Sequence, residues 1–169
     1  EVYQLPKVRL KIHECVRNTL LQKKDFKILE KYLIDSLQEF ERDKVFTRVN
    51  QVEKILLINW ILNTMAKNKK FKEALQYSKK LYTELLKYDK LYFGKFIWTY
   101  YQSVIVNNFF SGKIQNAIEV CENLKNNEKY KGNVFYDLGI YLNLSSLYYC
   151  KGDYSMAIND YRFNNGFPK

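Results

Sequence analysis

Apolar side chains recur along most of this chain at the spacing of an α-helix. Val8, Ile12 and Val16 form one stripe, and a second stripe begins at Phe26, directly after the polar turn 23–25. Two amphipathic helices joined by a tight turn predict an antiparallel helical hairpin. The pattern returns three more times, so we predict four hairpins, over residues 6–43, 45–88, 91–128 and 133–163.

The turns of these four hairpins align with one another. The aligned segments read KKDFKILEKYL, NKKFKEALQYS, SGKIQNAIEVC and KGDYSMAINDY. Each has a polar turn, then an aromatic residue or Ile, and three residues later an anchor: Leu29, Ala74, Ala117 and Ala157, whose numbers differ by 45, 43 and 40. Gly112 and Gly152 occupy the turn position at which helix C-termini commonly need a left-handed residue. The alignment indicates an internal repeat.

Two segments, residues 61–78 and 144–161, resemble the tetratricopeptide repeat family. In the second, Tyr148, Gly152, Tyr154 and Ala157 stand where the family pattern has its aromatic, turn and alanine positions. The period of 40–45 residues is atypical, because the family repeat is about 34 residues long. The resemblance implies an all-α fold, an α–α superhelix of about four antiparallel hairpins that form a single domain over residues 1–169.

The resemblance also implies where a partner would bind, because in this family the first helix of each hairpin lines a concave groove. With each anchor at the family's alanine position, the candidate groove residues are Asn18, Asn59, Asn63, Lys67, Gln102, Phe109, Ser146 and Tyr149. Further lining positions are Lys11, Glu14, Val106 and Leu142. An amide side chain can hold an extended peptide backbone, because it both donates and accepts hydrogen bonds. The implied function is non-catalytic binding of a protein or peptide segment, in the groove or at an open end of the superhelix.

The charge of the chain leaves an alternative open. There are 28 Lys and Arg residues against 18 Asp and Glu, a net charge of +10, but only five of the basic residues are arginines. Arginine is the usual choice for bidentate phosphate contacts, and AT-rich coding sequences favour Lys, Asn, Ile and Tyr without a functional cause. A regulatory sensor or nucleic-acid-associated module using a Lys-rich face therefore stays an alternative. The same coding bias could also account for the polar residues at the groove positions, without a binding function.

The sequence holds no motif for catalysis. It lacks the phosphate loop GxxxxGK[ST], the dinucleotide motif GxGxxG and the nucleophile elbow GxSxG. The only histidine, His13, is two residues from Cys15, and residues two apart on a helix do not face each other. We therefore predict no enzyme activity, no catalytic residue, no metal site and no cofactor.

Three further features concern the setting of the chain. No run of about 18 uncharged apolar residues is present, which excludes a membrane span, and the three scattered cysteines indicate a reduced, cytoplasmic protein. The chain begins with Glu1 rather than Met, so we expect it to be part of a longer protein. The last predicted helix is short and has no polar capping helix after it, so either the natural chain continues or the uncapped C-terminal end pairs with a second copy in a homodimer. A purely structural role through such self-association is a further alternative.

Overall fold

A computed structural model describes residues 6–43, 50–87, 90–131 and 133–164. Within these ranges the regular structure is helical and contains no β-strand. The helices are α1 (Pro6–Gln22), α2 (Phe26–Arg42), α3 (Gln51–Lys67), α4 (Phe71–Leu85), α5 (Lys90–Phe110), α6 (Ile114–Lys125), α7 (Val134–Lys151) and α8 (Tyr154–Asn164). The all-α prediction is confirmed, and each predicted hairpin contains two of these helices to within a residue. The predicted start of the second hairpin, Val45, lies outside the described residues.

The four hairpin turns have the same backbone geometry. After α1 the amide of Asp25 donates to the carbonyl of Leu20 over 3.0 Å, and the equivalent bonds, each 2.9 Å, are Lys70 to Met65, Lys113 to Asn108 and Asp153 to Tyr148. The residue before each donor is left-handed, with φ of 56° at Lys24, 60° at Lys69, 78° at Gly112 and 88° at Gly152. This pairing is a Schellman motif, which satisfies helix C-terminal carbonyls. The repeat read from the sequence is therefore also a repeat of backbone hydrogen bonds.

The chain divides into two compact units, residues 1–96 and 97–169, with the boundary inside α5. In unit 1, α2 packs against α1 and α3, and α4 packs against α3. Its core contains the fully buried side chains Leu29, Leu33, Ile55, Leu57, Ile58, Ile61 and Leu81.

In unit 2, α7 packs against α6 and α8, and the indole of Trp98 in α5 contacts Phe135 and Tyr136 of α7. A Cβ on Gly139 would overlap that indole, so a residue without a side chain is needed at this point of α7. The repeat anchors are buried in both units, with Leu29, Ala74 and Ala117 at 0% exposure and Ala157 at 5%. Small anchors allow the two helices of a hairpin to approach closely.

Candidate functional site

The candidate groove residues of unit 1 lie at the surface of α1 and α3. Asn18, Asn63 and Lys67 are exposed, and Asn59 is half-buried. The amide nitrogen of Asn63 donates to the amide oxygen of Asn59 over 3.4 Å, and Arg17 donates to Asn18 over 3.0 Å. The ammonium of Lys67 lies 5.4 Å from the centre of the Phe26 ring. These side chains lie at the surface of the two helices, where a partner can reach them.

In unit 2, two candidate residues from different helices line one cavity. Phe109 of α5 and Ser146 of α7 border a space of about 210 Å³. The other lining residues are Ile105, Val106, Phe110, Asn143, Leu147 and Cys150. We call this the α5–α7 cavity. Its walls are mainly aliphatic and aromatic, and its polar groups are one amide, one hydroxyl and one thiol.

Gln102 is hydrogen-bonded to Asn143, one of the residues that line the α5–α7 cavity. Its amide oxygen accepts from the amide nitrogen of Asn143 over 3.2 Å, and the same nitrogen donates to the carbonyl of Gly139 over 2.7 Å. Gln102 thereby helps to orient Asn143. Sequence reasoning included Gln102 but not Asn143, because only the packing of α5 on α7 brings the two together.

A second depression, of about 580 Å³, lies between α7 and α8. Ser146 and Tyr149 contribute to it from α7, and Tyr154, Ile158 and Tyr161 contribute from α8. Tyr149 is 65% exposed, and its ring centre lies 5.5 Å from that of Tyr154. None of its lining residues is charged. Ser146 borders both spaces, so it connects Phe109 and Tyr149 along one surface, whereas Gln102 is among the lining residues of neither space.

Unit 1 contains a buried cluster of ionisable groups that the sequence did not predict. Glu53 of α3 is 3% exposed, and its Oε1 lies 2.8 Å from Nε of Arg9 and 3.4 Å from Nε2 of His13, both in α1. The other ring nitrogen of His13 hydrogen-bonds with the hydroxyl of Tyr32 in α2 over 2.8 Å. The cluster joins three helices through polar contacts, which indicates a structural role.

Lys54, the neighbour of Glu53 in α3, makes a second buried set of contacts. Its ammonium lies 2.9 Å from Glu84 of α4 and 3.2 Å from Glu41 of α2. Burial acts to lower the pKa of Lys54, but the hydrogen bonds to Glu84 and Glu41 outweigh it and raise the pKa above its ordinary value. The lysine therefore stays charged at neutral pH, as an ion pair that closes α3 against α2 and α4.

The described residues show no metal-ligating cluster, and one of the three cysteines is a buried thiol. No group of three or more His, Cys, Asp or Glu side chains among them is placed to hold a metal ion. Burial raises the pKa of the Cys121 thiol to about 12, so this cysteine is protonated at neutral pH and is a poor nucleophile. None of the helices in these ranges combines the length and apolar character that a membrane span requires.

Lysines gather where the first two hairpin turns meet. The turns are linked by the amide of Asn68, which donates to the carbonyl of Phe26 over 3.0 Å, and by Lys70, which lies 2.6 Å from Glu30. Exposed lysines surround these contacts, namely Lys23, Lys24, Lys27, Lys31, Lys67, Lys69, Lys70 and Lys72. We call this set the basic edge. The turns of unit 2, Ser111–Lys113 and Gly152–Asp153, carry no such set.

Comparison of the chain with protein-family models, with curated proteins and with solved structures finds no match. The family of this chain and its function are therefore proposals.

Proposed function

We propose that this chain is a tetratricopeptide-like repeat module that binds an extended segment of another protein and catalyses no reaction. The observation that carries the proposal is the α5–α7 cavity, to which two candidate residues from different helices, Phe109 and Ser146, both contribute. Concave, mainly apolar spaces with a few placed polar groups are typical of ligand-binding sites.

The cavity fits a peptide with a single apolar anchor. Val106, Phe109 and Leu147 offer apolar walls to one aliphatic or aromatic side chain. The hydroxyl of Ser146 donates to the carbonyl of Leu142 over 2.9 Å, so its lone pairs are the groups that can accept from a peptide N–H. Recognition would then combine an apolar pocket with backbone hydrogen bonds, as in other peptide-binding grooves.

Selection from a random peptide display library tests this proposal. We expect selected peptides to share an apolar residue at a fixed position. They should bind at least about tenfold more weakly to Val106→Glu, because a carboxylate in the cavity would lose hydration. The matched control is Ile28→Glu, at a side chain of α2 that is 57% exposed and lies outside the cavity.

A second variant asks whether the same peptides also depend on the amide of α5 beside the cavity. Replacing Gln102 by Ala should weaken binding, because Gln102 accepts a hydrogen bond from Asn143 of the cavity wall. If the selected peptides bind Val106→Glu as tightly as the unchanged chain, the proposed site is wrong.

The basic edge supports a second candidate function, the binding of nucleic acid through phosphate contacts. Its exposed lysines lie on two linked turns, with Glu30 buried beneath them at 6% exposure. Binding through Lys–phosphate contacts weakens as salt rises, with a slope of about 0.9 per phosphate contact on duplex DNA.

Duplex DNA titrated at several salt concentrations tests this candidate. Changing Lys27, Lys31 and Lys72 together to Gln should reduce the salt slope, whereas changing Lys113, Lys129 and Lys151 of unit 2 to Gln should leave it unaltered. A flat salt response, or no binding at low salt, removes this candidate.

A further inference from the structure

The last described hairpin leaves an apolar face open. Tyr154, Ile158 and Tyr161 of α8 are 59%, 50% and 53% exposed, and Tyr149 of α7 adjoins them. We call these four residues the trailing face. Exposed apolar side chains that adjoin one another in this way are unusual on a protein surface that has no partner.

The aligned turns show what covers this face elsewhere in the molecule. Ile158 and Tyr161 correspond to Ile118 and Cys121 in α6, which are 3% and 0% exposed where α7 packs on α6. In α2 the corresponding residues are Glu30 and Leu33, at 6% and 0%, where α3 packs on α2. These positions are covered by the first helix of the next hairpin.

The first hairpin leaves the complementary face open. Val8, Ile12 and Val16 of α1, with Lys11 and Cys15, line a shallow apolar surface, and Ile12 is 38% exposed. We call these residues the leading face. Ile12 and Val16 correspond to Leu57 and Ile61 in α3, both 0% exposed, and to Ile140 and Leu144 in α7, at 1% and 0%. Those helices are the ones that pack on the preceding hairpin, as α3 does on α2 and α7 does on α6.

We propose that the leading face of one copy of this chain packs on the trailing face of a second copy. The two faces are the opposite halves of one kind of interface, which the described part of the molecule forms between α2 and α3 and again between α6 and α7. A second copy is the occupant that supplies the missing half at both faces, because each copy carries both. The inference rests on the repeat arrangement of the proposed function but not on its peptide site.

Such a contact is heterologous, since two different surfaces meet. Each added copy leaves a leading face and a trailing face free, so association continues beyond a dimer unless a ring closes. This property separates the proposal from a two-fold symmetric dimer through α8 alone, in which association would stop at two copies.

Sedimentation velocity across a concentration series tests the contact. The 169-residue chain should associate progressively, and Ile12→Lys and Ile158→Lys should each weaken association about tenfold or more, because each places a charge in the apolar contact. Ile28→Lys is the matched control, since Ile28 is an exposed isoleucine, at 57%, that lies on neither face. Circular dichroism should give the same helix content for all three variants, because each altered side chain is exposed.

Mixing the two face variants is the decisive measurement. Ile12→Lys keeps its trailing face and Ile158→Lys keeps its leading face, so the mixture should form a dimer that cannot extend. A chain that is monomeric at every concentration overturns the proposal, as does association that Ile158→Lys leaves unchanged. A mixture that stays monomeric while the unchanged chain associates overturns the heterologous contact. Peptides selected for the α5–α7 cavity should bind Ile158→Lys normally, so the failure of one proposal does not imply the failure of the other.

Discussion

The two units build the same hairpin with different chemistry. Unit 1 packs its helices around buried charges, with Glu53 held by Arg9 and Lys54 held by Glu84. Unit 2 also buries a carboxylate, that of Asp160, 3.3 Å from the ammonium of Lys125, but it adds edge-to-face aromatic contacts. In these the ring centre of Trp98 lies 6.0 Å from that of Phe135 and 5.6 Å from that of Tyr136. Its turns also differ, because Gly112 and Gly152 take the left-handed position that Lys24 and Lys69 occupy in unit 1.

This contrast indicates that the repeat constrains geometry more strongly than residue type. A buried ion pair is stable only while both partners are present, and removing one leaves an uncompensated charge. Aromatic contacts depend instead on shape and on space for the rings. The two units should therefore respond to different substitutions. Each unit contains one tryptophan, Trp60 in α3 or Trp98 in α5, so a variant that keeps only one reports on its own unit by fluorescence.

The largest effect should come from removing the buried carboxylate of unit 1. Glu53→Ala removes the buried carboxylate that pairs with Arg9, and we expect the free energy of unfolding to fall by about 3 kcal/mol. Urea unfolding followed through Trp60 measures it. Glu39→Ala, at an exposed carboxylate of α2, should change the free energy by no more than about 0.5 kcal/mol. Equal effects of the two variants would mean that unit 1 does not depend on its buried charges.

Unit 2 should be the more sensitive to an added methyl group. Gly139→Ala forces a Cβ into the indole of Trp98, at an expected cost of about 1–3 kcal/mol of unfolding free energy. Trp98→Phe should relieve part of that cost when the two changes are combined. Gly94→Ala, at a helical glycine whose Cβ position has no described atom within 4 Å, should instead stabilise the chain by about 0.5–1 kcal/mol. Additive effects of Gly139→Ala and Trp98→Phe would contradict the overlap.

Substitutions at the left-handed turn residues should change the free energy of unfolding in opposite directions in the two units. Lys69→Gly should raise the free energy of unfolding by up to about 1 kcal/mol, because glycine adopts the left-handed conformation without a Cβ clash. Gly152→Ala should lower it by about the same amount, for the same reason. Lys72→Gly, three residues further along in α4, serves as the control and should lower it by about 1 kcal/mol, as expected inside a helix. If the urea midpoints of both turn variants shift in the same direction, this account is wrong.

The smallest effect concerns pH. Burial, with the nearby carboxylate of Glu122, raises the pKa of Tyr148 in unit 2 to about 12, against about 10 in the unfolded chain. Because the folded state holds this proton more tightly, the stability contribution is fully present below about pH 10 and is lost as the pH rises through about 12. Urea midpoints followed through Trp98 should fall over that interval, and less steeply for Tyr148→Phe. An unchanged slope would show that Tyr148 does not contribute.

Part of the candidate site could be predicted from the sequence. The turn alignment, with the family resemblance, assigned Phe109 and Ser146 to groove positions on the first helices of their hairpins. Both side chains line the α5–α7 cavity. The alignment could not show that Asn143 bonds to Gln102, since that contact joins residues 41 positions apart. It also could not show that the buried His13 of α1 is hydrogen-bonded to Tyr32 of α2. Turn alignment ranks positions within a hairpin and carries no information on which side chains meet across hairpins.

The helices, the turns and the repeat follow from local physics that the residue order carries directly. Apolar spacing near 3.6 residues produces the helices, and polar turns with a left-handed residue end them. The burial of Glu53 and Lys54 does not follow from residue order in this way. The two residues are neighbours on α3, but Glu53 pairs with Arg9 of α1 and Lys54 pairs with Glu84 of α4. A charged residue becomes favourable in a core only when a distant partner and the low polarity around it are both in place. Such pairs depend on packing, which no local pattern encodes.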